Sequence, residues 1–352
     1  MGLSRSTIKL KVWTEFTYYF LHSVRIRRPW AFSPATWVRL YLGGFLPIQM
    51  ELYGLKSKRD WGIHLNERQI LSTRYIDYPY NEILDDKILS STLLKGITRV
   101  PKTLAIIVDR HVVFPEQGGM EKLGPIIKSC RKAILKPHAS NGGKGIALLE
   151  CRDGTIFKNN EVVSRDKLGE LVPHRGMFLI SEYLCQGDYA ERLYPETLNS
   201  LRIITMLDPD LKHPFIAGAV QRIGTSESFP VDNVSAGGLA CRIDLSTGRL
   251  GKASRIFMDR NLRWIERHPE SGVRFEDTII PNWDRVCGEV LDLAARLPHL
   301  PYIAWDIAAL HDGICVIETN SWSDLMAYEI EEPLKKNPAI LNFFKHHNVV
   351  RR

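Results

Sequence analysis

Hydrophobic and polar positions change period along this chain. Between Leu10 and Val24 the apolar residues Val12, Trp13, Phe16, Tyr19, Phe20 and Val24 recur three to four apart, the spacing of one helical face. Arg25, Arg27 and Arg28 follow before Pro29, so the helix runs out into a cationic cluster. This stripe either packs on the body of the protein or forms a basic surface helix that touches a membrane or a partner enzyme. A second helix begins at Ser33-Pro34 and is broken by Gly43-Gly44 and Pro47. Helical spacing continues to about residue 80, without the strand–helix alternation of a nucleotide-binding domain, which marks residues 1–80 as a cap region. In Asn81–Pro101, Ile83, Leu84, Ile88, Leu93 and Leu94 keep the helical period until Gly96, with Lys87 on the polar side.

Beyond residue 130 the apolar runs shorten and take on strand character. Lys132–Leu149 reads as a strand ending at Lys136-Pro137, a small polar loop His138–Gly145, and a second strand from Ile146. The loop is not a Walker loop, since Lys144 precedes Gly145 rather than Ser or Thr. Gly142, Gly143 and Gly145 would let backbone approach phosphates, with Lys144 as a point charge at the tip and Lys136 below, or the loop is a plain hairpin with solvated lysines. Met177–Gln186 is a buried strand running into Glu182-Tyr183-Leu184. The strands around Arg202 and Arg222 each carry an arginine among apolar neighbours, and a guanidinium there requires an anionic partner. Polar loops follow at Asp232–Gly238 and His268–Gly272, then an amphipathic helix over Pro281–Arg296.

The run Tyr302–Ser321 holds the densest chemistry. Two apolar strands flank His311-Asp312-Gly313, and each carries an acid: Asp306 in the first, Glu318 in the second, with Asn320 two residues on. A two-residue Asp312-Gly313 loop would set Asp306 opposite Thr319. A three-residue His311-Asp312-Gly313 loop pairs Asp306 with Glu318 and Ala304 with Asn320, and places all three oxygen-bearing side chains on one face. Two carboxylates side by side repel, so a cation belongs between them. Hard oxygen donors of this kind suit Mg²⁺ together with nucleotide phosphates, or the acids pair with Arg or Lys.

Composition narrows the class. With 352 residues, 44% hydrophobic and 25% charged, this is an ordinary globular chain of two or three subdomains. Its formal charge of +7 suits anionic ligands such as nucleotides or acidic sugars. No finger, RNP or basic-zipper pattern occurs, and no nucleic acid partner is expected. The six cysteines lie far apart and read as reduced core thiols. Neither a membrane-length apolar run nor a signal-peptide pattern is present, so the expected location is the cytoplasm. From Glu331 a helix leads to a basic end, Lys345 to Arg352.

Together these segments resemble the ATP-grasp superfamily and, within it, the sugar-transfer-associated ATP-grasp family, which is similar to the α-L-glutamate ligases. The resemblance spans Tyr53 to Leu334. It rests on DDKILSSTLLKGITRVP, ILKPHASNGGKGI, ISEYLCQ, NSLRIIT, AVQRIG with VDNVSAGG, HPESG, and WDIAAL with VIETN. The last, an acid followed twelve residues later by Glu-x-Asn, is the most specific. Two positions depart from the family pattern: Ser200 stands where relatives usually carry Thr, and Gly187 where they often carry His.

The resemblance implies an α+β fold in which two α+β subdomains sandwich ATP, with a mainly helical N-terminal region. The corresponding divisions are a cap at 1–80, a subdomain with the glycine flap at 81–180, a subdomain with the metal site at 181–334 and a basic tail at 335–352. It implies that Lys87 and Lys136 contact ATP, that Gly142, Gly143, Lys144 and Gly145 form a flap over the phosphates, and that Glu182, Tyr183 and Leu184 read the adenine edge. Asp306, Glu318 and Asn320 match ligands of Mg²⁺, with two ions expected. Arg202 and Arg222 match the catalytic arginines near the γ-phosphate and an acyl-phosphate. Asn199, Asp232, Asn233 and His268 fall in motifs on the substrate side. The implied activity is ATP-dependent joining of a small-molecule carboxylate and amine, on a sugar acid or amino acid of surface polysaccharide synthesis. A kinase acting on a hydroxyl and a non-catalytic ATP-binding scaffold are the alternatives.

Overall fold

A computed structural model describes residues 3–26, 32–55, 58–140, 142–256, 262–330 and 332–351. Arg27, Arg28 and Pro29 of the predicted cationic cluster, together with Glu331 and Arg352, lie outside the described residues. Two seven-stranded sheets organise the chain. The first contains β1 (Thr103–Val108), β2 (His111–Phe114), β3 (Lys132–Pro137), β4 (Ala147–Arg152), β5 (Thr155–Lys158), β6 (Glu161–Val163) and β7 (Met177–Glu182), in the order β2-β1-β7-β3-β4-β5-β6. The second contains β8 (Leu201–Leu207), β9 (Pro214–Ile223), β10 (Leu239–Ile243), β11 (Leu250–Ile256), β12 (Leu262–Ile265), β13 (Tyr302–Leu310) and β14 (Gly313–Asn320), in the order β12-β11-β10-β9-β8-β13-β14.

Alternation along the strands decides what each face does. In β3, Ala133 and Leu135 enter a core with Leu123 and Ile127 of the helix Leu123–Cys130, which leaves Ile134 and Lys136 for the opposite face. In β13, Ile303, Trp305 and Ile307 pack against Trp283, Val286 and Val290 of the helix Trp283–Ala295. Tyr302, Ala304, Asp306 and Ala308 therefore share the other side. That side is divided lengthwise: Tyr302 and Ala304 sit in a second core with Leu65, Ile70, Phe343 and Phe344, while Asp306 opens on a cleft between the sheets.

The hairpin reaches the expected pairing by another route. Asp306 pairs with Glu318 and Ala304 with Asn320, but Leu310 pairs with Gly313, so the turn is the two residues His311-Asp312 rather than three. A β-bulge between the Asp306 and Ile307 pairings takes up Ile317 and restores the register. Gly313, at φ 140°, begins β14 instead of standing inside the loop.

Three other expectations change. Asn81–Pro101 is not one helix: Asp86 caps a new one, Lys87–Leu94, by accepting bonds from the backbone N–H groups of Ile88 (2.8 Å) and Leu89 (3.0 Å). Leu84 and Leu94 pack with Trp305 in the core of the second sheet, so this segment belongs with that sheet and not with the flap-bearing one. The predicted basic tail is a packed element, since the helix Pro338–His346 buries Ile340, Phe343 and Phe344. Of the six cysteines only Cys241 and Cys315 are buried, and Cys185 is exposed.

The N-terminal helix runs over Arg5–Ile26 and buries Val12, Phe16 and Phe20 against Leu40 and Phe45, while Trp13 and Tyr19 stay half exposed. No helix among the described residues is long and apolar enough to cross a membrane.

Phe343→Ala should cost about 3–5 kcal/mol, because a fully buried aromatic shared by the C-terminal helix and the helical cap leaves a cavity neither can fill. Urea unfolding measures this, and a change under about 1 kcal/mol would mean that the helix is a dispensable tail.

Candidate active site

The site begins with a buried carboxylate. β13 pairs with β8 so that Asp306 lies opposite Arg202, and β8 pairs with β9, which brings Arg222 alongside. Arg202 grips Asp306 with two nitrogens: Nε donates to Oδ1, and Nη2 donates to Oδ2 at 2.7 Å. Arg222 Nη2 donates to the same Oδ2 at 2.8 Å. Burial alone would raise the Asp306 carboxyl, but Arg202, and then Arg222, outweigh it and hold it at about 2, below its usual 3.8. For Arg222, burial works against the charge, yet Asp232 and Asp306 keep the guanidinium more firmly protonated than an ordinary arginine.

Arg222 is braced from its other side. Its Nε and Nη2 donate to Ser200 Oγ at 3.0 and 2.7 Å, and Asp232 Oδ2 accepts from the Ser200 backbone N–H at 2.8 Å. These bonds leave Nη1 of Arg222 without a protein partner among the described contacts. Nη1 of Arg202 has only a long 3.5 Å contact to Ser323 Oγ. Both arginines thus line the cleft with N–H groups in reserve.

Glu318 has a different partner. Lys87 Nζ lies 3.0 Å from its Oε2 and also donates to the Ser140 carbonyl at 3.0 Å. Lys87, assigned to the polar side of a helix, is instead buried, because its helix abuts β14. It links the acid platform of the second sheet to the loop of the first. Lys136 enters from β3, with its ammonium lowered by burial, sustained by Glu318 and lowered further by Lys87. Four cations thus gather around the Asp306–Glu318 pair, with Asp232 as a third carboxylate beside Arg222, and the N–H groups of Lys136, Arg202 and Arg222 suit a phosphate there.

The cleft has a volume of about 690 Å³ and takes walls from both sheets. Gly142, Gly143 and Lys144 line it, with both glycines at positive φ of 73° and 72°. A side chain on Gly143 would stand 3.1 Å from Val231 of the opposite loop, so glycine permits the two loops to meet over the cleft. Gly145 lies at the loop's far end beside Pro137, outside the lining. Glu182, Tyr183 and Leu184 line the other end, where β7 passes into the second sheet. Glu182 is pinned there, its backbone N–H donating to Lys102 O at 2.9 Å and its carboxylate accepting from Lys102 N–H at 3.0 Å. Asp232 and Asn233 also line the cleft, and Asn233 caps the turn Val234–Ala236.

Two expected substrate residues stand elsewhere. Asn199 is buried outside the lining, its Nδ2 donating to the carbonyls of Ala190 and Tyr194 and its Oδ1 accepting from Gly224 N–H. His268 is buried against Tyr194, bonds Gly224 O through Nε2 at 2.8 Å, and accepts on Nδ1 from Glu270 and Ser271 N–H. Both fasten loops, because every polar atom they present is used by backbone.

Several lining residues carried no sequence signal. Ile317 faces the cleft beside Glu318 only because the bulge turns both the same way, and it joins Leu184 and Leu198 in an apolar floor. Ser200, noted in the sequence only as a departure from the family pattern, donates through Oγ to Asp232 and accepts there from Arg222, so it ties that arginine to the acid. Arg74, Asp85, Trp322 and Asp324 also line the cleft. Arg74 lies over the Trp322 ring at 5.0 Å and Asp85 accepts from Ser321, contacts between segments remote in sequence.

The donors present fit Mg²⁺. Asp306, Glu318 and Asn320 bring hard oxygens to one face, and the buried, partnerless Asn320 Nδ2 is a donor that calls for an acceptor such as a phosphate oxygen beside the ion. No group of three or more His, Cys, Asp or Glu among the described residues forms a complete cage.

A flap-bearing antiparallel sheet facing an acid-bearing one across a shared cleft defines an ATP-grasp fold. The family model described as sugar-transfer associated ATP-grasp matches residues 66–338, and the chain belongs to this family. No curated protein matches it. Among solved structures the chain is similar to the ATP-grasp ligase PsnB complexed with minimal precursor, at 16% identity over 76% of this chain and 62% of that one, TM-score 0.38. It thus spans less than two thirds of that ligase's length. D-alanine–D-alanine ligase from Bacillus anthracis is 11% identical over 87% of this chain and 77% of that one, TM-score 0.39. D-alanyl-alanine synthetase A from Vibrio cholerae O1 biovar eltor is 9% identical over 86% and 74%, TM-score 0.41.

Asp306→Asn should destabilise the protein by about 3–5 kcal/mol, since it strands two half-buried guanidinium groups. A carboxyl held at about 2 contributes its full stability above the unfolded-state value of roughly 4 and loses it as pH falls toward 2. Urea unfolding from neutral pH down to about 3 should therefore show a shallower acid decline in the variant. Equal pH slopes in the two proteins would contradict the assignment.

Proposed function

We propose that this protein is an ATP- and Mg²⁺-dependent carboxylate–amine ligase that forms an amide through an acyl-phosphate and releases ADP. The observation that carries this reading is the cluster of Arg202, Arg222 and Lys136 around the Asp306–Glu318 pair, beneath a glycine loop. ATP would lie between the sheets, with its base against Tyr183, Leu184 and Ile317 and its phosphates toward Lys136, Lys144 and the loop. Asp306, Glu318 and Asn320 would hold Mg²⁺, which supplies charge neutralisation at the phosphates when bound.

The remaining chemistry belongs to the chain. Attack of the substrate carboxylate on the γ-phosphorus forms an O–P bond and breaks the bond to the β-phosphate oxygen, giving ADP. Arg202 and Arg222, aimed by Asp306 and Ser200, offer their unspent N–H groups to the transferring phosphoryl oxygens, and then to the tetrahedral oxyanion when the amine attacks. The amine loses a proton, the amide C–N bond forms and phosphate leaves. No side-chain nucleophile is required. The substrate in this reading is a sugar acid or an amino acid of surface polysaccharide synthesis, for which the family description offers the link to sugar transfer, and the need for ATP supports a cytoplasmic setting.

Purified protein with ATP and Mg²⁺ should release phosphate only when a carboxylate and an amine are both supplied, across uronic acids, amino sugars and amino acids. Hydroxylamine should trap the acyl-phosphate as a hydroxamate. Glu318→Ala and Arg222→Ala should lower turnover at least about 100-fold. A stable phosphorylated sugar without hydroxamate would identify a kinase, and ATP binding that no substrate mixture converts to turnover would identify a scaffold.

A further inference from the structure

Forming the amide requires a proton acceptor that the arginines of the cleft cannot provide. A primary amine is an ammonium ion at neutral pH and has no lone pair for attack until a proton leaves it. Among the described residues six acids and no histidine line the cleft: Asp85, Glu182, Asp232, Asp306, Glu318 and Asp324. Five are spent. Asp306 is held by the two arginines, Asp232 by Ser200, and Glu318 by Lys87. Glu182 is engaged by Lys102, and Asp85 gives both its oxygens to Ser321. Asp324 differs. Its Oδ1 accepts from the backbone N–H of Met326 at 3.0 Å, and among the described contacts its Oδ2 has no partner.

The segment that carries Asp324 is fastened to β8 at Arg202. Ser323 Oγ meets Arg202 Nη1 at 3.5 Å, and the Tyr328 hydroxyl donates to the Arg202 carbonyl at 3.1 Å. A carboxylate that follows Ser323 in the chain and lines the same cleft therefore belongs with the arginines that would meet the acyl-phosphate. Its side chain is open to water, yet the protein around the cleft raises its carboxyl above the usual 3.8, against the pull of the Met326 N–H and of Arg202. Glu67 and Tyr53, the other titratable groups that feel its charge, belong to the helical cap. A raised carboxyl accepts a proton more readily than an ordinary aspartate.

We propose that Asp324 is the catalytic base of amide formation, its free oxygen holding the ammonium of the amine substrate and taking a proton from it as the nitrogen attacks the acyl carbon. The freed lone pair forms the C–N bond. The bond from the acyl carbon to the phosphate oxygen breaks, its electrons leave with the phosphate, and that oxygen takes the second proton. Asp324 then returns the first to water. The amine so selected is one that carries charge at neutral pH, such as that of an amino acid or an amino sugar. This assignment rests on the ligase reading.

Full-length protein is given ATP, Mg²⁺ and a mixture of glucuronate, galacturonate and amino acids. One arm adds hydroxylamine, which is uncharged at neutral pH and needs no base, and is read as hydroxamate. The other adds glucosamine and galactosamine and is read as amide by mass spectrometry. Asp324→Asn should keep hydroxamate formation within about twofold, which also reports a folded site, and lower amide formation at least about 100-fold. Its residual amide rate should climb about tenfold per pH unit toward the pKa of the ammonium itself, where the wild type has levelled off. Asp324→Glu should restore part of the rate. Hydroxamate from neither protein would overturn the ligase reading and the base with it. Hydroxamate from both proteins with equal amide formation would overturn the base alone, and so would an equal loss of hydroxamate and amide in the variant.

Discussion

Everything at the centre of this protein depends on one carboxylate placed where a strand would ordinarily carry an apolar residue. Asp306 sits mid-strand, fully buried, with its charge met by two guanidinium groups from the adjacent β8 and from β9 beyond it. A buried charge of this kind is tolerable only when its partners are close and well aimed, and the same bonds that satisfy it fix the direction of both arginines. The back of the sheet enforces the arrangement. Trp305, fully buried against the helix Trp283–Ala295 and bonded through Nε1 to Thr205 at 2.9 Å, locks the alternation that turns Asp306 to the cleft.

A second constraint links the two sheets. Lys87 holds Glu318 on one and the carbonyl of Ser140 on the other, so the acid platform and the glycine loop share a single ammonium. The cleft also takes lining from elements that belong to neither sheet, with Arg74 from the helical cap and Trp322 and Asp324 from the segment after β14. Three parts of the chain thus meet at one volume. The family match from residue 66 onward covers them, whereas the first two helices of the chain precede it.

The legible features were those with a period or a turn signal. Two acids in strands of period two around His311-Asp312-Gly313 marked the pair, although Asp306 was expected to meet Glu318 through a three-residue turn that the chain does not form, and mid-strand arginines implied the anion they meet. The turn itself was misread because a bulge leaves no mark in composition: Ile317 is one more apolar residue in an apolar run. Lys87 was misjudged because a helical wheel ranks faces within the helix and knows nothing of β14 against it. Asn199 and His268 share motifs with cleft residues, yet backbone claims every polar atom they offer. The packed C-terminal helix was hidden by its own cationic end, which drew attention away from Ile340, Phe343 and Phe344 just before it.

The bulge at Ile317 also separates two jobs that a hairpin usually combines. In a regular hairpin the turn sets the register, so any change in loop length propagates down both strands. Here the pairing at the acids is held from outside, by Asp306 against Arg202 on β8, and the extra residue absorbs the mismatch with the turn. The His311-Asp312 tip is therefore relieved of setting the register, and it serves instead as a fastening, with Arg99 donating to both carboxylate oxygens of Asp312 at 3.1 and 3.0 Å.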